Sequence, residues 1–209
     1  MALFLEDKNI EIYRTLCGSD NNNAYLIVCS ETRESVMIDA PLNPEAILEH
    51  AEETQVKAIL ITHRHKDHTE GLIEAVAKTS APVFAHLADI DDIPADCNPI
   101  EDGQKIRFGK NEIIAMHTPG HTPGSTCFLT RGYIFTGDTV YSGGPGESRG
   151  PEATIQILKN ITEKIYILSD DIMVFPGHGH HSTLGIPKRE YRIFQSEHPD
   201  ILPPIPSHE

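Results

Sequence analysis

One short stretch of the sequence concentrates side chains that bind metals. His63, His65, Asp67 and His68 stand close together, directly after the apolar run 58–61. Neutral imidazoles and carboxylates are ligands that zinc and its first-row neighbours accept in proteins. The alternate positions of His63 and His65 allow both side chains to face one point, while Asp67 and His68 face a second. The stretch therefore predicts a metal site at the end of a buried strand.

Three further candidate ligands occur in one shared context. His121, Asp138 and His178 each follow a glycine that comes after a predicted strand. A glycine lets the backbone turn sharply there, and it keeps bulk away from a bound ion. We expect four such strand ends to meet at one edge of the fold and to bring all the candidates together. This recurrence argues against the alternative interpretation of 62–68, a solvated basic loop.

The elements that must position these residues are short segments separated by the 15 glycines and 15 prolines. Apolar runs predict strands at 10–16, 24–29, 35–38, 57–61, 82–85, 105–108, 112–116, 126–130, 133–135 and 172–175. Helical spacing predicts helices at 44–50, 72–78, 152–164 and 188–196. Strands in two batches, each interleaved with helices, predict an α/β fold of two sheets covered by helices. We expect a single domain over 1–209, with a loose proline-rich tail from about residue 199.

Composition and charge argue against some classes of binding partner. The net charge of −14 argues against binding nucleic acid or an anionic membrane through a general basic surface. The sequence has neither a long apolar run nor an N-terminal signal pattern, so no membrane span and a cytoplasmic location are expected. The four cysteines are widely scattered and are predicted to be reduced rather than metal-binding. Nothing in the sequence predicts an oligomeric state.

The four motifs together resemble the motifs of a known protein family. The series H-x-H-x-D-H, T-P-G-H-T, F-T-G-D-T and P-G-H-G, in this order and spacing, resembles the metallo-β-lactamase superfamily over nearly the whole chain. The resemblance implies an αββα sandwich with two divalent metal ions, for which zinc is the first expectation and iron or manganese are possible. It implies seven ligands: His63, His65 and His121 for the first metal, Asp67, His68 and His178 for the second, and Asp138 bridging both.

Two close cations would make a catalytic side-chain nucleophile unnecessary. They can lower the pKa of a shared water to roughly neutral, which supplies hydroxide at pH 7, and they polarise a carbonyl oxygen. The predicted reaction is hydrolysis of an acyl bond or a phosphoester, with Asp67 and Asp138 as catalytic carboxylates. Asp39, which follows the strand 35–38, is expected either to orient a metal ligand or to serve as a turn residue.

Within the superfamily the motifs resemble glyoxalase II and related small thioesterases, which implies a small acyl thioester as substrate. In glyoxalase II, a lysine that comes after the bridging aspartate in the sequence binds the glutathione carboxylate. Glu147 stands at the corresponding place here, and it would repel a carboxylate. Arg149 and Lys188 are candidate replacements, and His180 is a candidate contact at the rim of the site.

Two other activities stay open at this point. Tyr141 lies three residues after Asp138, where lactonases of the superfamily place a catalytic tyrosine, although it could equally pack against the strand end. A mononuclear iron persulfide dioxygenase shares the ligand motifs but carries an R-G-C-G-R-T-D stretch that 143–149 does not match. A non-catalytic module would be expected to have lost ligands, and all seven are present.

Overall fold

Two β-sheets pack face to face in the computed structural model, which describes residues 3–18, 21–197 and 202–206. The first sheet holds seven strands in sequence order: β1 (Leu3–Glu6), β2 (Ile10–Cys17), β3 (Asn22–Cys29), β4 (Glu34–Ile38), β5 (Gln55–Leu60), β6 (Val83–His86) and β7 (Cys97–Ile100). Its first four strands pair antiparallel and β4 to β7 pair parallel.

The second sheet is assembled from the later part of the chain. It contains β8 (Lys105–Phe108), β9 (Asn111–His117), β10 (Thr126–Thr130) and β11 (Tyr133–Gly137), and a separate hairpin follows as β12 (Val140–Tyr141) and β13 (Gly144–Pro145). The sheet is completed by β14 (Met173–Pro176) and β15 (Ser182–Thr183), in the spatial order β15-β14-β11-β10-β9-β8. Because β11 and β14 are parallel, their carboxyl ends lie at the same edge.

Alternating side chains divide each sheet between two apolar layers. Ile27 and Leu60 of the first sheet meet Phe128 and Phe175 of the second in the central layer. Their neighbours in the strands face outward, against α1 (Glu45–Ala51) and α3 (Leu72–Thr79) on the first sheet. The outer face of the second sheet packs against α4 (Pro151–Asn160) and α5 (Gly185–Glu197). Helix, sheet, sheet and helix layers confirm the predicted αββα fold.

Some elements differ from the sequence predictions. The helix predicted at 152–164 ends at Asn160 and continues as a π-helical turn over Ile161–Ile165. The strands β1, β7, β12, β13 and β15 and the short helix α2 (Lys66–Thr69) were not predicted. No helix in the described ranges is long and apolar enough to cross a membrane.

The prediction of a loose tail is wrong for 202–206. Leu202 is buried in the apolar layer under α5. The Tyr191 hydroxyl donates to the Pro203 carbonyl at 2.6 Å, and the Gln195 side-chain amide donates to the same oxygen at 2.9 Å. Residues 202–206 therefore pack against α5. The predicted tail residues 199–201 and 207–209 lie outside the described residues.

Candidate metal centre

Backbone hydrogen bonds draw the predicted strand ends together at one edge of the sandwich. The Thr126 amide donates to the Thr62 carbonyl at 2.9 Å, which ties the loop after β5 to the second sheet. The Gly177 amide donates to the Gly137 carbonyl at 2.8 Å, and its own carbonyl accepts from the Asn23 amide at 2.8 Å. The loops that carry the candidate ligands are therefore fixed to one another through the backbone.

The first donor group consists of His63, His65 and His121. The Nε2 atom of His63 lies 3.0 Å from Nδ1 of His65, and Nε2 of His121 lies 3.2 Å and 2.9 Å from these two atoms. A neutral imidazole carries its proton on only one of its two nitrogens. If that proton lies on the nitrogen facing away, the three facing nitrogens have no hydrogen to share and cannot satisfy one another by hydrogen bonds. The three lone pairs can instead converge on one cation.

Hydrogen bonds on the far side of the rings set the tautomers of this group. The Thr62 hydroxyl donates to Asp39 Oδ2 at 2.8 Å, so it accepts from Nδ1 of His63, 3.1 Å away. Nδ1 of His121 donates to the Glu147 carbonyl at 2.6 Å. His63 and His121 thus keep their Nε2 lone pairs facing inward. Burial lowers the pKa of His63 well below its ordinary value, and neighbouring imidazoles add to this effect.

The second donor group consists of Asp67, His68 and His178. Asp67 Oδ2 lies 3.2 Å from Nε2 of His178 and 3.6 Å from Nε2 of His68. Nδ1 of His68 donates to Asp39 Oδ2 at 2.8 Å, and the Asn22 amide donates to Asp67 at 2.8 Å. The bond between Asp67 and His178 lowers the pKa of the carboxyl and raises that of the imidazole. This group is therefore held by charge as well as by hydrogen bonds.

Asp138 lies between the two groups. Its Oδ1 is 3.4 Å from Nε2 of His68, and its Oδ2 is 3.5 Å from Nε2 of His121 and 3.6 Å from Nε2 of His178. Burial opposes a charge on His68, but the carboxylates of Asp39 and Asp138 outweigh it and raise the pKa of His68 to about 10. One carboxylate is thus placed to serve both groups.

The donor set fits a pair of divalent cations. Within the described ranges, Nε2 of His68 and Oδ1 of Asp138 are buried and have no hydrogen-bond partner. Unpaired buried polar atoms are costly unless something else satisfies them, and a metal ion would do so. Gly177 leaves the required space: a Cβ there would lie 2.4 Å from Asp138 Oδ1 and 2.5 Å from His68 Cε1.

The sequence matches the metallo-beta-lactamase superfamily over residues 17–178, well over half of the chain. The chain belongs to the metallo-β-lactamase superfamily.

Relatives within the metallo-β-lactamase superfamily differ in the activity they are named for. A hydroxyacylglutathione hydrolase of Polaromonas sp. is 34% identical over 163 residues, which cover 75% of this chain and 62% of the relative. The mitochondrial persulfide dioxygenase ETHE1 of Homo sapiens is 32% identical over 167 residues, 75% of this chain and 63% of that protein. The chain therefore spans less than two thirds of the length of these relatives.

A solved structure of the superfamily is also similar to this chain. The crystal structure of TTHA1623 in a di-iron-bound form aligns with a TM-score of 0.72 and 28% sequence identity. The alignment covers 85% of this chain and 97% of that one. The similarity therefore extends over most of both chains.

Two of the remaining predicted site residues of this superfamily member lie beside the donor groups. Tyr141 is on β12, and burial together with the nearby Asp138 raises the pKa of its hydroxyl, so the phenol keeps its proton. Arg149 lines an open cleft of about 360 Å³ together with His65 and His121. Both residues are thus placed where a substrate could meet them.

The other predicted substrate contacts are placed differently. Glu147 contributes its backbone carbonyl to His121, while its side chain is exposed. His180 is exposed and belongs to neither donor group. The prediction that Lys188 contacts substrate is wrong, because its side chain is buried and its ammonium pairs with Asp170 at 2.6 Å and donates to the Leu168 carbonyl. The first turn of α5 directs this side chain inward.

Three supporting residues complete the site. Asp39 adopts φ 56° and accepts hydrogen bonds from the Thr62 amide, the Thr62 hydroxyl and His68, each at 2.8 Å. It therefore takes the ligand-orienting position that the sequence left open. Asn22 and Thr62 were missed as supporting residues. The position of Thr62 directly before His63 is a usable signal, whereas Asn22 is distant in sequence and has none.

Proposed function

We propose that this chain is a dinuclear-metal hydrolase that cleaves small acyl thioesters, as a glyoxalase II-like enzyme. The observation that carries the proposal is the convergence of two donor groups on Asp138, with buried atoms on His68 and Asp138 that have no hydrogen-bond partner among the described residues. The hydroxyacylglutathione hydrolase named among the relatives supports the thioester class. The di-iron form of TTHA1623 supports two metals in this fold.

The two donor groups define how the metals would be held. His63, His65 and His121 would hold one cation and Asp67, His68 and His178 the other, with Asp138 between them. When bound, two such cations lower the pKa of a water and polarise a substrate carbonyl. Zinc is the expected metal, and iron or manganese accept the same donors.

The protein's own groups prepare this chemistry. Asp39 fixes the Nδ1 protons of His63, through Thr62, and of His68, so both Nε2 atoms are directed inward, where a bound cation would take the place of the Nε2 proton of His68. The protonated phenol of Tyr141 can donate a hydrogen bond to the negative charge that develops on the carbonyl oxygen. The cleft beside the first donor group gives a substrate access to these residues.

Two other activities each have an observation in their favour. The placement of Tyr141 beside Asp138 favours a lactone hydrolase, because the same phenol could polarise a lactone carbonyl. The similarity to persulfide dioxygenase ETHE1 favours oxidation of a persulfide at one iron. The complete second donor group favours the hydrolase over this last activity.

The test is a substrate panel on protein whose metal content has been quantified. S-D-lactoylglutathione and simpler acyl thioesters should be hydrolysed with kcat/KM of about 10⁴ M⁻¹s⁻¹ or more for at least one of them. Hydrolysis of acyl-homoserine lactones alone would replace the thioester with the lactone class. Oxygen uptake with glutathione persulfide, on protein holding one iron per chain, would replace hydrolysis with dioxygenation.

A further inference from the structure

A buried carboxylate that belongs to neither donor group lies between the two loops that carry the first one. Asp89 follows β6, and its side chain is buried. Its Oδ2 accepts hydrogen bonds from the Arg64 backbone amide at 3.1 Å and from the Thr122 hydroxyl at 2.6 Å, and its Oδ1 accepts from the Gly124 amide at 2.9 Å. A buried carboxylate needs such donors to compensate its charge. Asp89 is therefore bonded to two loops from different parts of the chain.

These two loops supply all three imidazoles of the first donor group. Arg64 stands between His63 and His65, and Thr122 directly follows His121. The three ring nitrogens converge between the loops, and the carboxylate is bonded to the backbone or side chain next to each ligand. Its position therefore bears on how far apart the ligands of the two loops lie.

The contacts of Asp89 differ from those of a residue that only begins a helix. It stands at the N-cap position of the short 3₁₀ turn Ile90–Asp92, but its side chain makes no cap hydrogen bond there. Its backbone is fixed separately, since its amide donates to the His86 carbonyl at 2.9 Å and its carbonyl accepts from the Asp92 amide at 3.1 Å. Both carboxylate oxygens therefore serve the two ligand-bearing loops rather than the turn in which the residue stands.

The loop after β9 closes tightly onto this carboxylate. The Thr122 hydroxyl donates to Asp89, so it accepts from the Ser125 hydroxyl, 2.9 Å away. The Ser125 oxygen in turn accepts from the Thr122 amide at 2.9 Å. A Cβ at Gly124 would lie 2.5 Å from Asp89 Cγ, so a larger residue would displace the carboxylate. This contact accounts for the second glycine of the segment T-P-G-H-T-P-G, which is not next to a candidate ligand.

We propose that Asp89 is a positioning residue of the first donor group, which sets the distance between His121 and the two imidazoles of the loop after β5. This inference rests on the part of the proposed function in which the first group holds a cation. Asp39 orients ligands within the loop after β5, whereas Asp89 joins that loop to the one that carries His121. Asp89 should therefore affect metal binding at the first site and not at the second.

Binding of Co²⁺, measured by competition with a chelator, tests the inference without a substrate. Two backgrounds separate the groups, because His178→Ala retains the three ligands of the first and His121→Ala retains the three ligands of the second. In the His178→Ala background, Asp89→Asn should weaken Co²⁺ binding by about tenfold or more, as residues that support a ligand typically do. In the His121→Ala background, the same change should alter the dissociation constant by less than about twofold.

Matched variants separate positioning from loss of charge or of folding. Asp92→Asn removes an exposed carboxylate that pairs with the side chain of the same Arg64, and it should change both dissociation constants by less than about twofold. Thr122→Val removes the hydroxyl that donates to Asp89 but keeps the carboxylate, so it should weaken the first site by about threefold or more. Thr122→Ser keeps a hydroxyl and should retain the affinity of the parent. If Asp89→Asn does not fold, the two Thr122 variants decide the question.

Two results would overturn the inference. Equal weakening of Co²⁺ binding in the two backgrounds would show that Asp89 supports the fold in general, and unchanged binding at the first site would show that it does not position the ligands. Equal affinities of Thr122→Val and Thr122→Ser would contradict the inference in the same way. The thioester panel is independent of these measurements. Hydrolysis without an effect of Asp89→Asn would leave the proposed function standing alone, and a selective effect without hydrolysis would leave the inference standing alone.

Discussion

The two donor groups are built from the same loop and yet are held by different forces. Each takes two side chains from the segment after β5 and a third from a strand end of the second sheet. The first group contains only imidazoles, and its supporting contacts to Thr62 and Glu147 are to neutral oxygens. The second contains a carboxylate and is supported by charged and amide groups. One loop thus supplies an all-imidazole site and a site that includes a carboxylate.

The backbone explains how one loop serves two sites. His65 has extended dihedrals, φ −63° and ψ 145°, so His63 and His65 alternate along an extended segment and both reach the first group. The helix α2 begins at Lys66, and its first turn carries Asp67 and His68 to the second group. The change from extended to helical backbone after His65 is therefore what separates the two sites.

Some residues contact both donor groups, and others contact only one. Asp138 and Asp39 contact both groups, directly or through Thr62, whereas His178 and Asn22 support only the second. Substitution of a residue that contacts both groups should therefore weaken metal binding at both sites. Substitution of a residue that contacts one group should weaken binding at that site alone. The following variants test this distinction.

Asp138→Ala should have the largest effect. It removes the carboxylate that lies directly between the two groups, so hydrolytic activity should fall by at least about a thousandfold, beyond the 10–100-fold typical of supporting residues. Metal analysis should find both sites depleted. Asp91→Ala, at an exposed aspartate, is the control and should keep activity and metal. Loss of only one metal in Asp138→Ala would contradict a shared role.

Asp39→Asn should weaken both groups to an intermediate degree. The amide would place an NH₂ or a single oxygen where the carboxylate accepts from Thr62 and from His68, so one ring would lose its orientation. Metal affinity should drop by about 10–100-fold, and the free energy of unfolding of metal-free protein should drop by about 2 kcal/mol in urea titrations. Unchanged affinity at both sites would show that Asp39 is only a turn residue.

Gly177→Ala should damage the second group in particular. Its added Cβ would lie 2.4 Å from Asp138 Oδ1 and 2.5 Å from His68 Cε1, so these side chains must move. We expect about tenfold weaker binding of the second metal in competition with a chelator. Gly132→Ala is the matched control, because a Cβ there has nothing within 4 Å. Equal behaviour of the two variants would contradict the described geometry.

Tyr141→Phe should have the smallest effect. It removes a protonated phenol beside Asp138 without removing a predicted metal ligand. Activity should fall by about tenfold through kcat, with unchanged metal content, since the cations would still polarise the carbonyl. If KM changes and kcat does not, the phenol contacts the substrate without assisting the reaction.

The sequence predicted the parts of this molecule that depend on local pattern. The candidate ligands stand in dense motifs at strand ends, and strands in two batches interleaved with helices predicted the two sheets. The role of Asn22 depends on a contact with Asp67, 45 positions away. No pattern in the sequence around Asn22 indicates such a contact.

Lys188 shows where local reasoning failed. A lysine is normally solvated, but α5 begins before the predicted helix and turns this residue toward Asp170. Leu202 and Pro203 illustrate the same point for the tail, since packing against Tyr191 depends on the path of the chain after α5. Tertiary contacts decided both placements.

Metal stoichiometry tests the central claim most directly. Elemental analysis of the metal-saturated protein and of His178→Ala measures how many cations the two donor groups hold. We predict about two metals per chain for the unaltered protein and about one for His178→Ala, because His178 belongs to the second group alone. Saturation of the unaltered protein at one metal per chain, with no change in His178→Ala, would contradict the two-site account.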